Sequence, residues 1–291
     1  MTGPRITQAM IDAYDEYTHL TLDRRKFMDK LTKLAGSGAA AAAIAPLLAA
    51  NAAHAAMIAE DDARLKAEDI TYPGAEGDMK AYLVRPADQS GKLGAVIVIH
   101  ENRGLNNHIR DVARRIALEG FLALAPDFLS PLGGTPADED AARGMFKELD
   151  AGQTIANGTA TIAFLKEHEG SNGKVGAVGF CWGGGAVNDL AVNAPDLSAG
   201  VAYYGRQAKT EDVAKITAPL LLHYAGRDER INAGIDAYKA ALEAAEKEFT
   251  VYVYEGAQHA FNNDTSEARY DAQAAGLAWE RTIAFFKEKL A

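Results

Sequence analysis

Val175-Gly176-Ala177-Val178-Gly179-Phe180-Cys181-Trp182-Gly183-Gly184-Gly185 runs from an apolar strand pattern through a G-x-C-x-G turn into a small-residue helix start. Strand, sharp turn and helix in that order form a nucleophile elbow, with Cys181 where a serine usually stands. The turn forces the nucleophile into strained backbone geometry, and the flanking glycines are required because side chains there would collide with the neighbouring strand and helix. A helix beginning at the next residue favours negative charge on the sulfur and offers backbone N–H groups to an oxyanion. The bland alternative, a small buried hydrophobe, is the ordinary fate of a lone cysteine, but the glycine context argues against it. A nucleotide loop is disfavoured too, since neither G-x-G-x-x-G nor G-x-x-x-x-G-K-[ST] occurs at this site.

Outward from the elbow, short β-rich runs alternate with longer helical patterns from Glu68 onward. That alternation predicts an α/β fold with a mostly parallel central sheet and helices on both faces. Strands are expected near Asp69–Tyr72, Met79–Arg85, Ala95–Ile99, Phe121–Ala125, Val175–Gly179, Ala199–Tyr203, Leu220–Tyr224 and Phe249–Tyr254, the first two as an antiparallel edge. Helical spacing of apolar positions marks Ile109–Glu119, Asp138–Leu149, Thr154–His168, Gly184–Asn193, Ala233–Glu246 and Ala268–Lys289. The segment Phe128–Ala137, with two prolines and Gly133-Gly134, is the expected mobile loop and candidate lid. No repeat or linker divides this body, so residues 56–291 read as one domain.

An elbow nucleophile needs a base and a group to orient it, in the chain order nucleophile, acid, histidine. Leu220-Leu221-Leu222-His223-Tyr224-Ala225-Gly226-Arg227-Asp228 is an apolar strand running into a loop that carries Asp228 to the carboxyl end of the sheet. The strand Phe249–Tyr254 repeats the arrangement and delivers His259. Taken singly, a turn-forming aspartate and a surface histidine are commoner than catalytic ones. Three in order and context are a different matter. Val96-Ile97-Val98-Ile99-His100-Glu101-Asn102-Arg103-Gly104 ends another central strand in a charged cluster, at the face where open α/β sheets bind ligands. There Glu101 could pair with the thiol or with Arg103, and Asn102 could join Trp182 in giving backbone N–H groups to an oxyanion hole.

These residues resemble the dienelactone hydrolase family of α/β-hydrolases, whose hallmark is the G-F-C-x-G-G elbow with a Cys-Asp-His triad. The likeness covers Glu68 to the C-terminus. It implies an α/β-hydrolase fold, Cys181 as nucleophile, Asp228 as acid and His259 as base. It also implies that Glu101 holds or accepts the thiol proton until substrate arrives. The expected reaction is hydrolysis of a small ester or lactone, as in a carboxymethylenebutenolidase, through an acyl-cysteine. The chain departs from the family where an arginine that binds the substrate carboxylate follows the histidine: here stand Asn262-Asn263-Asp264. Arg103 and Arg206 are therefore only candidate anion binders. The rival readings are a non-catalytic protein of the same fold that binds a small carboxylate or lactone, and a redox role for Cys181, which lacks a second cysteine to resolve a sulfenic acid.

The 291 residues hold 30 Lys+Arg and 40 Asp+Glu, a balance of −10 that disfavours nucleic acid and acidic membrane surfaces as partners. A single cysteine precludes an intramolecular disulfide. No metal-ligand spacing or cofactor motif is present. Residues 1–55 read differently from the rest. Asp23-Arg24-Arg25-Lys26-Phe27-Met28 precedes an apolar run from Leu34 to Ala50, and Ala53-His54-Ala55 follows in small-x-small form. This resembles a twin-arginine export signal, which implies the export machinery as a partner and a periplasmic or secreted product. Gly36, Gly38 and Pro46 argue against a permanent membrane anchor. The alternative is an Ala-rich helix packed on the domain of a cytoplasmic chain.

Overall fold

The computed structural model describes residues 6–19, 22–49 and 57–291. Ahead of the sheet come three helices, α1 (Gln8–Thr18), α2 (Arg24–Ala35) and α3 (Gly38–Leu48). The body contributes β1 (Leu65–Gly74), β2 (Gly77–Pro86), β3 (Leu93–Ile99), α4 (Asn107–Leu118), β4 (Leu122–Pro126), α5 (Glu139–Met145), α6 (Ala151–Glu167) and β5 (Ser171–Phe180). It continues with α7 (Trp182–Asn193), β6 (Ala199–Tyr203), β7 (Leu220–Ala225), α8 (Glu229–Asn232), α9 (Ile235–Ala244), β8 (Phe249–Tyr254) and α10 (Ala272–Leu290).

All eight expected strands form, in one sheet of order β1-β2-β4-β3-β5-β6-β7-β8. The β1–β2 hairpin is antiparallel and β2 also pairs antiparallel with β4, whereas every later pairing is parallel. Strand β1 is longer than its apolar run because it pairs with β2 along its whole length, from Leu65 opposite Pro86 to Gly74 opposite Gly77. In β3 the pleat sends Ala95, Ile97 and Ile99 to one core and Val96 and Val98 to the other, which is why the strand reads as continuously apolar. Helices α6, α7 and α9 cover the first face and α4 and α10 the second. Carboxylates and an amide fix the helix starts: Asn106, Asp138, Asp150 and Asp271 each accept from a backbone N–H of the following first turn.

The segment Phe128–Ala137, expected to be a mobile loop, is anchored. Leu129 N, Thr135 N and Thr135 Oγ1 all donate to the Asp127 carboxylate, and Phe128 and Leu129 are buried. The segment after β4 is thus tied to the strand it leaves, and none of its residues lines the cavity that contains Cys181.

Helices α1 to α3 build a core of their own from Met10, Tyr14, Tyr17, Phe27, Leu31, Ile44 and Leu48, while the two sheet-face cores contain no residue from 6–49. They lie against the body, the arrangement the packed-helix alternative foresees. Arg103 Nη2 donates to Tyr14 Oη at 2.7 Å, Arg269 pairs with Asp15 at 3.4 Å, and the Arg143 guanidinium stands 3.6 Å over the Tyr17 ring. No single described helix is long and apolar enough to cross a membrane; α2 and α3 together would be, but they meet at 112°. The Ala53-His54-Ala55 segment lies outside the described residues.

Candidate active site

The elbow is built as its glycines require. Cys181 follows β5 with φ 56° and ψ −112°, a conformation an L-residue adopts only under constraint. A Cβ on Gly179 would fall on the Gly183 carbonyl, and one on Gly183 on the Ile99 carbonyl. Both obstacles are backbone, which cannot swing aside. Gly179→Ala is therefore expected to destabilise the fold by about 3 kcal/mol or more, at the upper end for overpacking, and urea unfolding at equal slope measures it. Cys181 N donates to Tyr203 O at 3.0 Å, pinning the elbow to β6. Trp182 opens α7, so its N–H belongs to the set that no helix carbonyl can satisfy.

Asp228 follows β7 and caps α8: its Oδ1 accepts from Ile231 N at 3.2 Å. Its Oδ2 lies 2.5 Å from His259 Nδ1. Both residues are buried. A ring nitrogen of His259 and the Cys181 sulfur lie within 4.8 Å of one another. Burial alone would lower the His259 pKa, but the charges of Cys181 and Asp228 overcome it and raise the imidazole to about 10. Burial would raise the Asp228 carboxyl, but His259 beside it brings the net shift below the usual range. The elbow, β7 and β8 thus bring together the three residues expected to act together.

Glu101 lies just beyond β3, buried, with Oε2 accepting from Asn263 Nδ2 at 2.9 Å and Oε1 without a hydrogen-bond partner among the described residues. Asn263 occupies the segment where the family places an arginine, so here that segment holds the carboxylate rather than an anion. The anticipated Glu101–Arg103 pair does not form: Arg103 Nη1 donates to Glu139 Oε2 at 2.8 Å. Arg103 lines a different cavity, between α1, α2, α3 and α5, because Glu139 and Tyr14 draw its guanidinium there. Arg206 does line the cavity of Cys181, where its Nη2 pairs with Asp189.

That cavity, of about 320 Å³, is lined by Asn102, Phe146, Trp182, Tyr204, Arg206 and Arg230 among others. Trp182 stacks on the buried His100 ring at 5.4 Å. His100 Nδ1 donates to Glu101 O at 2.8 Å and Nε2 accepts from Phe128 N at 3.1 Å, which fixes the tautomer and holds the Glu101 loop against the start of the Phe128–Ala137 segment.

Three residues of this cavity escape the sequence reading. Tyr204, at φ 39°, places its ring 4.9 Å from that of His259, with its buried hydroxyl unpartnered among the described residues. Arg230 joins Arg206 at the rim. The third is His19, at the end of α1. Its Nε2 lies 3.1 Å from His259 Nε2 and 3.6 Å from Cys181 Sγ, and its Nδ1 donates to Asp15 O at 2.6 Å. Asn102 Nδ2 donates to Thr18 O at 2.5 Å, which seats the end of α1 beside the elbow. Burial and the charge of His259 push His19 down to about 2, so this ring is neutral. No local pattern could mark His19, because its partners are 162 and 240 residues away.

The sequence profile of the "Dienelactone hydrolase family" matches residues 79–290. A Salmonella typhi protein named "Putative carboxymethylenebutenolidase" is 32% identical over 247 residues, covering 80% of this chain and 91% of its own. A protein of the same name from Escherichia coli strain K12 is 33% identical over 243 residues, 78% of this chain and 89% of its own. The crystal structure titled "Putative Dienelactone Hydrolase" from Klebsiella pneumoniae superposes with a TM-score of 0.71 at 30% identity, over 77% of this chain and 98% of that one. A profile that runs from β2 to the last residue of α10, with relatives spanned over most of their length, makes this chain a member of the dienelactone hydrolase family.

Proposed function

We propose that the chain hydrolyses a small ester or lactone through an acyl-cysteine intermediate. The observation that carries this reading is the buried Asp228–His259 pair beside Cys181 at the start of α7. The sulfur attacks the acyl carbon, and the Trp182 and Asn102 N–H groups take the charge that develops on the carbonyl oxygen. His259, oriented by Asp228, gives its proton to the departing alkoxide and then, neutral, takes one from the water that attacks the thioester. The sulfur leaves and the acid is released. A thiolate is itself a good leaving group from the tetrahedral intermediate, which suits activated esters and lactones and not peptides. The relatives' names give the same substrate class. Arg206 and Arg230 at the rim are the groups available to a substrate carboxylate; Arg103 is not among them.

Glu101 holds the thiol proton in the resting state. Glu101→Gln takes away the carboxyl proposed to exchange a proton with the thiol, so the pH dependence of alkylation by iodoacetamide is expected to change. A rate–pH profile identical to that of the parent removes Glu101 from the mechanism.

Residues 1–55 serve as a twin-arginine export signal, and the product is periplasmic or secreted. With Arg24→Lys and Arg25→Lys together, cell fractionation should find the precursor retained in the cytoplasm. The packing of α1 to α3 on the body favours a second reading, in which the leader is kept and the chain stays cytoplasmic; unchanged fractionation supports that one.

A further inference from the structure

Three soft or borderline donor atoms from distant parts of the chain converge at the mouth of the cavity: Cys181 Sγ, His259 Nε2 and His19 Nε2. All lie within 4.8 Å of one another. Their other bonds aim them. A carbonyl can only accept, so His19 Nδ1 carries the proton that Asp15 O receives, and the neutral ring's lone pair is on Nε2. Asp228 orients His259 in the same way through Nδ1. The second nitrogens of the two imidazoles are anchored to a carbonyl and a carboxylate, and their Nε2 atoms meet at 3.1 Å beside one thiol, which is the outer support usual for metal-ligating histidines.

We infer that His19, Cys181 and His259 form a site for Zn²⁺ or a cation of similar softness, with the leader supplying one ligand. The distances suit it. Tetrahedral zinc with bonds of about 2.0–2.1 Å to nitrogen and about 2.3 Å to sulfur requires ligand separations of about 3.4 Å between nitrogens and about 3.6 Å between nitrogen and sulfur. The two separations to His19 are 3.1 and 3.6 Å. A Cys-His-His set selects zinc, cobalt or copper over magnesium or calcium, which prefer all-oxygen ligands. The fourth position opens on the cavity and is free for water. Binding forms one S–Zn and two N–Zn bonds, and the proton on His259 Nε2, with any proton still on the thiol, goes to solvent. The ion then occupies both nucleophile and base, clamps α1 over the cavity and leaves the enzyme inert until the metal is withdrawn. The sequence holds no metal-ligand spacing because no two of these ligands are near one another in the chain.

The test uses the full chain, stripped with chelator and titrated with Co²⁺, then with Zn²⁺. One equivalent of cobalt should give the thiolate-to-metal charge-transfer band and the strong visible bands of a four-coordinate ion, and zinc should abolish both. His19→Gln should weaken cobalt binding by about a hundredfold or more, since even a residue behind a ligand is worth 10–100-fold. Circular dichroism checks that the variant is folded. As an independent readout, zinc should raise the Tm of the parent chain and not that of His19→Gln. Absence of the charge-transfer band overturns the site, as do visible bands without it. An equal response in His19→Gln overturns the part assigned to the leader. None of these readouts depends on turnover: cobalt held by these atoms in a chain that never forms an acyl adduct would uphold the site and sink the catalytic proposal.

Discussion

Cys181→Ala is expected to lower ester turnover by at least about 10⁴-fold while leaving the fold intact. Loss of the nucleophile leaves only the oxyanion hole and substrate binding, and in triad enzymes that loss costs nearly as much as losing all three members. The structure gives the thiol no packing role large enough to confuse the result. Cys181 is half-buried, whereas Phe180 before it is fully buried and carries the strand's packing. The strained φ of 56° belongs to the backbone and persists with alanine. Stability should therefore change by less than about 1 kcal/mol, seen as a Tm within a few degrees of the parent. Activity equal to the parent's in the folded variant would end the proposed mechanism.

Deleting residues 1–55 should raise kcat/KM by on the order of tenfold or more over the full chain. An acyl carbon about to be attacked needs to lie about 3–3.5 Å from the sulfur, and His19 Nε2 stands at 3.6 Å. Substrate and docked α1 therefore exclude each other, and only the fraction of molecules with α1 displaced can react. The body should survive the deletion, since its two sheet-face cores draw nothing from residues 6–49. The advantage is also expected to depend on pH. His19 in the docked leader stays neutral down to about 2, but in an undocked leader it takes a proton near 6.5. Acidification thus favours undocking, by up to about tenfold per pH unit below 6.5. The deletion's advantage should shrink accordingly between pH 6.5 and 5.5. Asp15, whose carboxyl burial raises, opposes the trend only as the carboxylate range is approached. The measurement is the ratio of kcat/KM values of the two forms across that range. A ratio of one at every pH would show that the leader does not obstruct the site.

What the sequence discloses and what it hides follow from the range of the interactions involved. The elbow is local: Gly179 and Gly183 are demanded by backbone a few residues away or on the next strand, so the motif carries its own geometry. Asp228 and His259 are reached by counting strands, because each lies past the carboxyl end of a β-rich run, the first buried throughout and the second only partly buried. Arg103 misleads because adjacency to Glu101 in the chain suggests a pair, whereas Glu139 and Tyr14, brought in by α5 and α1, bind it more directly. The prolines and glycines of Phe128–Ala137 signal a break in regular structure but not its fate, which Asp127 decides by collecting three donors. His19 is invisible for the opposite reason: its surroundings are made wholly by tertiary contact.

The most direct test of the central claim is intact-mass analysis of residues 56–291 mixed rapidly with p-nitrophenyl acetate, beside the same protein bearing Cys181→Ala. The account predicts a transient adduct of one acetyl group that decays with turnover and is absent from the variant. Folded protein with a titratable thiol that shows neither adduct nor p-nitrophenol release would contradict it, and would leave a protein that binds its ligand without cleaving it.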